Sequence, residues 1–251
     1  ESKQPRPPYR RVLKRQVFRA VNQFVVGHWG YFSSCFVGLD NRELLPPFMP
    51  CLGSEDSLFS AVLHNCFQDS YAGYLPWSLL HMPAHRKTLT HSDFCKDFLT
   101  PRVGIILSRL VSEIPFPKYK CSPEALLRRL GLELAGLAAL SAEEFEEYIR
   151  KRILQICSDK IFQLEDMLRT CENPPDLWGR NVKARITAFQ KNTRNPKNLT
   201  AVDLAGYPPK TGWSLFQQLT LQYGELLQWW PEIVRAAKEL RAEGQGVADL
   251  I

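Results

Sequence analysis

The chain has 251 residues, 45% of them hydrophobic and 11% aromatic, enough to bury a sizeable core in one large domain or two small ones. No apolar stretch is long enough to cross a bilayer and no signal-peptide pattern opens the chain, which starts at Glu1 and reads as a piece or processed form of something longer. A net charge of +6 permits an anionic partner without requiring nucleic acid, and seven scattered cysteines with no C-x-x-C pair argue against a zinc cage and for a reducing, cytoplasmic compartment.

The first segment, ESKQPRPPYRRVLKRQVFRAVNQFVV, predicts a proline-rich tail and then an amphipathic helix from about Tyr9. Leu13, Val17, Ala20, Val21 and Phe24 would line one face and Arg11, Arg15 and Arg19 the opposite one. That basic face suits an acidic protein or an anionic membrane surface, which makes the chain a candidate peripheral membrane protein. GHWGYFSSCFVGL, rich in aromatic and β-forming residues, predicts one or two short strands. GLDNRELLPPFMPCLGSEDSLFSAVLH reads as a loop running into a helix. Ser54 is placed to cap that helix, and Glu55 and Asp56 sit in its first turn, where the positive end of the helix macrodipole favours anions. YLPWSLLHMPAHR predicts a strand from Trp77 to Leu80 that leaves through a proline turn, and the prolines of EIPFPKYKCSP predict a linker.

Beyond that linker the pattern is helical. SPEALLRRLGLELAGLAAL starts at a Ser-Pro pair, and the next helix opens with a capping box from Ser141 to Glu144 and runs about eight turns. A third helix follows the paired prolines of PPDLWGRNVKARITAFQKN, and a fourth begins at GWSLFQQ with a break or kink expected near Pro231. The predicted class is therefore α+β, mostly α: a small mixed α/β segment over 1–115 and a helical bundle over 122–251. The bundle contains no histidine, and its acids fall on solvent-facing positions.

Chemistry concentrates in the first hundred residues, where all five histidines lie. There is no G-x-S-x-G elbow, no G-x-x-x-x-G-K-[ST] loop and no G-x-G-x-x-G loop, so a serine nucleophile and the common phosphate cradles are unsupported. Cys35 and His28 read as packed residues.

The ordered run FVGLD, GSEDSLFSAVL and LPWSLLH resembles the nucleotide-sugar-dependent glycosyltransferases of the two-lobed, Rossmann-like type. In that family a glycine and an aspartate precede a loop, a G-x-E-D-x-x-[LF] motif opens a helix, and an apolar strand leads to a histidine. The resemblance implies transfer of a sugar from a nucleotide donor to a hydroxyl acceptor, with Asp56 as general base and Glu55 beside it. It further implies that Asp40, His85 and Arg86 contact substrate, and that His81 contacts a divalent metal, manganese or magnesium. The family's nucleotide-binding half, with its D-x-D metal motif, would come before these residues; this chain contains no D-x-D. The competing reading is a non-catalytic helical interaction module in which Glu55 and Asp56 only begin a helix and the basic segment docks an acidic partner. No specific nucleic-acid partner is expected, because acids dilute the basic residues beyond the first segment.

Overall fold

The computed structural model describes residues 17–18, 21–28, 37–67, 69–77, 79–80, 99–115, 121–174 and 176–245. Those residues are mostly helical, with four very short strands, in keeping with the α+β, mostly α class. The strands are β1 (Val17–Phe18), β2 (Val25–Gly27), β3 (Ala72–Tyr74) and β4 (Leu79–Leu80). The helices are α1 (Glu55–Cys66), α2 (Val103–Glu113), α3 (Pro123–Ala138), α4 (Ala142–Thr170), α5 (Asp176–Thr193) and α6 (Pro209–Ala242). The chain divides into two units. One comprises Glu1–His28, Tyr71–Pro101 and Arg150–Val202, and the other Trp29–Ser70, Arg102–Ile149 and Asp203–Ile251.

In the second unit α3 lies along α6, and α1 lies along α2. The reason is visible in α3, whose Leu126, Leu127, Leu130, Leu134 and Ala138 recur at helical spacing and are all buried. Two glycines let α3 and α6 approach closely. A Cβ on Gly131 would lie 2.4 Å from the carbonyl oxygen of Gly224, and one on Gly224 would lie 2.8 Å from that of Gly131. Asn65 ties α1 to α2, its side-chain amide donating to the Val111 carbonyl at 3.1 Å. Phe145 of α4 meets Phe216 of α6 edge-on, with ring centroids 5.7 Å apart.

The segment LLPPFM, residues 44–49, belongs to this same core. Pro46, Pro47 and Met49 are buried, and Phe48 stacks on Phe59 of α1 with centroids 4.1 Å apart. A chain so rich in proline makes few ladder bonds of its own, so its carbonyls need outside donors. Helix α6 supplies them: Tyr223 Oη donates to Pro47 O at 3.2 Å and Trp230 Nε1 to Leu45 O at 2.6 Å. Seven residues separate the two donors, two helical turns, so they share a face of α6.

In the first unit, β1 pairs antiparallel with β4 and β2 with β3, as two separate two-stranded sheets. The carbonyl of Leu99 receives two side chains, Cys157 Sγ from α4 at 3.5 Å and Asn192 Nδ2 from α5 at 3.3 Å. Arg150 gathers the carbonyls of a 3-10 turn at Pro196–Asn198, donating to Pro196 O at 3.1 Å and Leu199 O at 2.9 Å.

Several expectations need correction. The helix predicted from Tyr9 through Phe24 is not formed where it can be seen: Val17–Phe18 is a strand and residues 21–24 are irregular. Val-Phe and Leu-Leu pairs satisfy each other's backbone across β1 and β4, and a β-branched and an aromatic residue suit that geometry. Arg11, Arg15 and Arg19 lie outside the described residues, as do residues 29–36 of the predicted strands. Helix α1 begins at Glu55 as predicted, but Ser54 is left-handed (φ 73°) and its hydroxyl makes no cap bond. Its carbonyl instead accepts from Ser57 and Leu58. Helix α2 forms over a stretch for which the sequence pattern above predicts no helix. Helix α6 continues through Pro231, which is buried, rather than breaking there. An interior proline costs a helix about 3 kcal/mol, and the face that buries Tyr223, Gly224 and Leu227 offsets it. The capping box is as expected: Ser141 N donates to Glu144 at 3.0 Å, and Glu144 N to Ser141 Oγ at 3.3 Å.

Candidate functional site

The acids Glu55 and Asp56 follow a turn that is unusual in its backbone. Leu52 has φ 65° and Ser54 φ 73°, both in the left-handed region that a branched or bulky residue avoids. Such outliers cost about 1–3 kcal/mol each and persist where surrounding contacts over-determine them. Those contacts come from the start of α2. A Cβ on Gly104 would fall 2.7 Å from the carbonyl oxygens of both Gly53 and Ser54, so only glycine lets α2 press so closely on the turn. The Arg102 guanidinium covers Gly53 from the same side, where an added Cβ would meet Nη1 at 1.7 Å.

Asp203 holds the beginning of α2 in place. Its Oδ2 accepts the Val103 N–H at 2.9 Å, and its Oδ1 lies 3.8 Å from Arg102 Nε. The aspartate thus serves as the N-terminal cap that Arg102, at the cap position, does not provide. The starts of α1 and α2 are therefore locked together through backbone contact.

Within this arrangement Asp56 is half-buried, and its Oδ1 is shielded from solvent with no hydrogen-bond partner among the described residues. A buried acceptor left unpaired costs about 1–3 kcal/mol, and in a folded protein it calls for a specific reason. Glu55, one residue earlier, is also half-buried. Asp40 sits on the surface at the other end of the preceding loop. Both its oxygens are taken by Arg42, at 2.9 Å from Nε to Oδ1 and 3.1 Å to Oδ2, and this pairing holds the carboxyl down at about 2. Among the described residues no bond joins Asp40 to Glu55 or Asp56. His81, His85 and Arg86 lie outside the described residues.

Sequence reasoning found Glu55 and Asp56 but missed their supports. Asp203 is a hundred residues from the N–H it caps, so no local pattern could connect them. Arg102 did carry a weak signal, a cation between Pro101 and an apolar helical run. A groove of about 520 Å³ in the same unit, lined by Leu110, Ile114, Leu132, Leu134 and Tyr148, includes neither acid. Among the described residues no group of three or more His, Cys, Asp and Glu could hold a metal ion, so they do not by themselves make the metal site that the family resemblance implies. No helix of the described residues is long and apolar enough to cross a membrane. No protein-family model matches the chain, and neither a curated protein nor a solved structure is significantly similar to it.

Proposed function

We propose that the chain contributes to a glycosyltransferase site in which Asp56 is the general base. The observation that carries this reading is the Asp56 oxygen, shielded and without a donor, behind a turn strained at Leu52 and Ser54. An acceptor hydroxyl is a donor of the right kind for the Asp56 carboxylate; it would approach from the open side of this half-buried residue, because the shielded Oδ1 itself admits no ligand. As that hydroxyl's oxygen bonds to the anomeric carbon of the donor sugar, its proton passes to the Asp56 carboxylate. The bond from the anomeric carbon to the diphosphate breaks, and the nucleoside diphosphate leaves with the electron pair. Glu55 takes a supporting role, hydrogen-bonding the acceptor. The G-S-E-D-S-L-F order of residues 53–59 supports the family reading, since it matches the motif that opens the corresponding helix there. A manganese or magnesium ion would bind the diphosphate in that family. No described residue is assigned to it, and no step above passes through it.

The test uses the full chain with a panel of UDP-, GDP- and dTDP-sugars and mixed hydroxyl acceptors, reading nucleoside diphosphate release and thermal shift by each free diphosphate. Asp56→Asn is expected to fold and to lose roughly 10²- to 10⁴-fold in turnover. An Asp56→Asn protein working at the wild-type rate overturns the assignment, as does a wild-type chain that neither turns over nor binds any member of the panel.

A further inference from the structure

One face of the small sheet formed by β2 and β3 is largely apolar and open to solvent. Its register pairs Val26 with Gly73 and Gly27 with Ala72. Side chains alternate along a strand, so Phe24, Val26 and His28 fall on the same side as Tyr71, Gly73 and Leu75. Two contacts agree with this parity. The Phe24 ring lies over Gly73, 3.7 Å from where a Cβ would stand, and the His28 and Tyr71 rings sit 4.7 Å apart. Phe24, Val26, Tyr71 and Leu75, with Trp77 two residues further on, are between 49% and 67% exposed. A contiguous apolar face on so small a sheet is costly in water, and a two-stranded ribbon alone is only marginally stable.

The charge of the chain identifies what meets it. Residues 2–39, which supply β1 and β2, hold seven Lys and Arg and no Asp or Glu. Residues 70–92, which supply β3 and β4, hold Arg86 and Lys87 and again no acid. Nine cations thus flank the paired strands in sequence, from Lys3 to Arg19 and at Arg86 and Lys87, all outside the described residues; against a whole-chain net of +6, the rest of the chain is net negative. We infer that this face, Phe24, Val26, Tyr71, Leu75 and Trp77, docks on an anionic lipid bilayer. The apolar side chains enter the boundary between headgroups and acyl chains, and the acid-free stretches answer the negative surface. Tyrosine and tryptophan suit that boundary because their rings are apolar with one polar edge. An apolar insertion and a basic stretch are the two signals that together hold a protein on a membrane.

Two other occupants fit less well. A second copy would bring two strongly cationic stretches against each other. A single-stranded nucleic acid needs cations among its stacking rings, and the described side chains of this face carry none. The inference stands apart from the transfer reaction, since it uses neither Glu55 nor Asp56.

The experiment is co-sedimentation of the full chain with phosphatidylcholine vesicles, with and without phosphatidylserine. It is run at about 0.05 M and about 0.5 M salt, which bracket the range over which surface charges become screened. Binding is expected to the phosphatidylserine vesicles at low salt and to weaken at high salt. The Phe24→Ser, Trp77→Ser double variant is expected to lose about tenfold or more in vesicle affinity. Should that variant fail to fold, quenching of tryptophan fluorescence by brominated lipid, compared between the unaltered chain and Trp77→Phe, gives the same decision. Quenching that disappears in Trp77→Phe supports insertion, and quenching that is absent or unchanged overturns it. No sedimentation at low salt, or undiminished binding by the double variant, also overturns the inference. So does an oligothymidylate complex or a self-association that the unaltered chain forms in place of vesicle binding and the double variant loses.

Discussion

At the scale of single residues, the turn before α1 decides what its two acids are for. Ser54 occupies a cap position without capping, and its positive φ costs more than a serine gains there. Ser54→Gly is therefore expected to raise stability by up to about 1 kcal/mol, where a working serine cap would instead lose a few tenths. Urea unfolding of the two proteins measures the sign directly. The neighbouring acids separate by conservative replacement. If they serve only helix-start electrostatics, Asp56→Asn and Glu55→Gln should each cost at most about 1 kcal/mol and leave any transfer rate unchanged. The proposed roles require a large rate loss for Asp56→Asn and a small one for Glu55→Gln, in steady-state assays of both variants. If only Glu55→Gln is inactive, the two roles exchange.

Elements meet here through glycine and through borrowed hydrogen bonds. Where α3 crosses α6, Gly131 and Gly224 leave no room for a methyl group, with backbone oxygens 2.4 and 2.8 Å from an added Cβ. Gly131→Ala and Gly224→Ala should each destabilise by about 1–3 kcal/mol, because neither backbone can give way without separating the helices. Gly136, on the same α3, faces open space. Gly136→Ala should stabilise by about 0.5–1 kcal/mol, as expected where helix propensity alone is at stake. Thermal unfolding of the three variants side by side tests the crossing, and equal shifts would contradict it. The proline-rich segment before α1 makes the complementary case. Tyr223→Phe leaves the Pro47 carbonyl without its donor and should cost about 1–3 kcal/mol despite keeping the ring.

Across the whole molecule, buried groups that resist ionisation set the alkaline limit of stability. Burial pushes the Cys66 thiol up to about 12 and the Cys157 thiol to about 11, from an ordinary 9.0. Burial also raises the Tyr223 hydroxyl above its ordinary 10.0. In each case the native state keeps a proton that the unfolded chain gives up. Stability is therefore fully present below pH 9 and falls as pH rises, through about 11 for Cys157 and about 12 for Cys66. One thiol lies in each unit, so both units should weaken over the same window. A Cys66→Ala, Cys157→Ala protein is expected to start less stable, from lost packing, yet to show a shallower decline of unfolding free energy between pH 9 and 11. An unchanged slope would assign the decline to other groups.

The amino-acid sequence by itself determined the helical class and the beginnings of four helices. Those signals are local: Ser122 before Pro123, the Ser141–Glu144 box, the paired prolines before Asp176 and the acids at Glu55 and Asp56 all act within one turn. It also determined where the two candidate acids lie along the chain, because a helix start can be read from its own residues. Tertiary structure decided the rest, wherever long-range contacts outweigh local preference. Val17 and Phe18 have an adequate helical pattern but become a strand because Leu79 and Leu80 pair with them. Pro231 should end a helix, and burial on α6 keeps it inside one. Ser54 should cap, but the approach of Gly104 and Arg102 accompanies a left-handed backbone that its hydroxyl does not serve. Asp203, a hundred residues away, supplies the cap at α2. Each of these outcomes rests on groups far apart in sequence, whose mutual burial is worth more than the roughly 1 kcal/mol of a local propensity or cap.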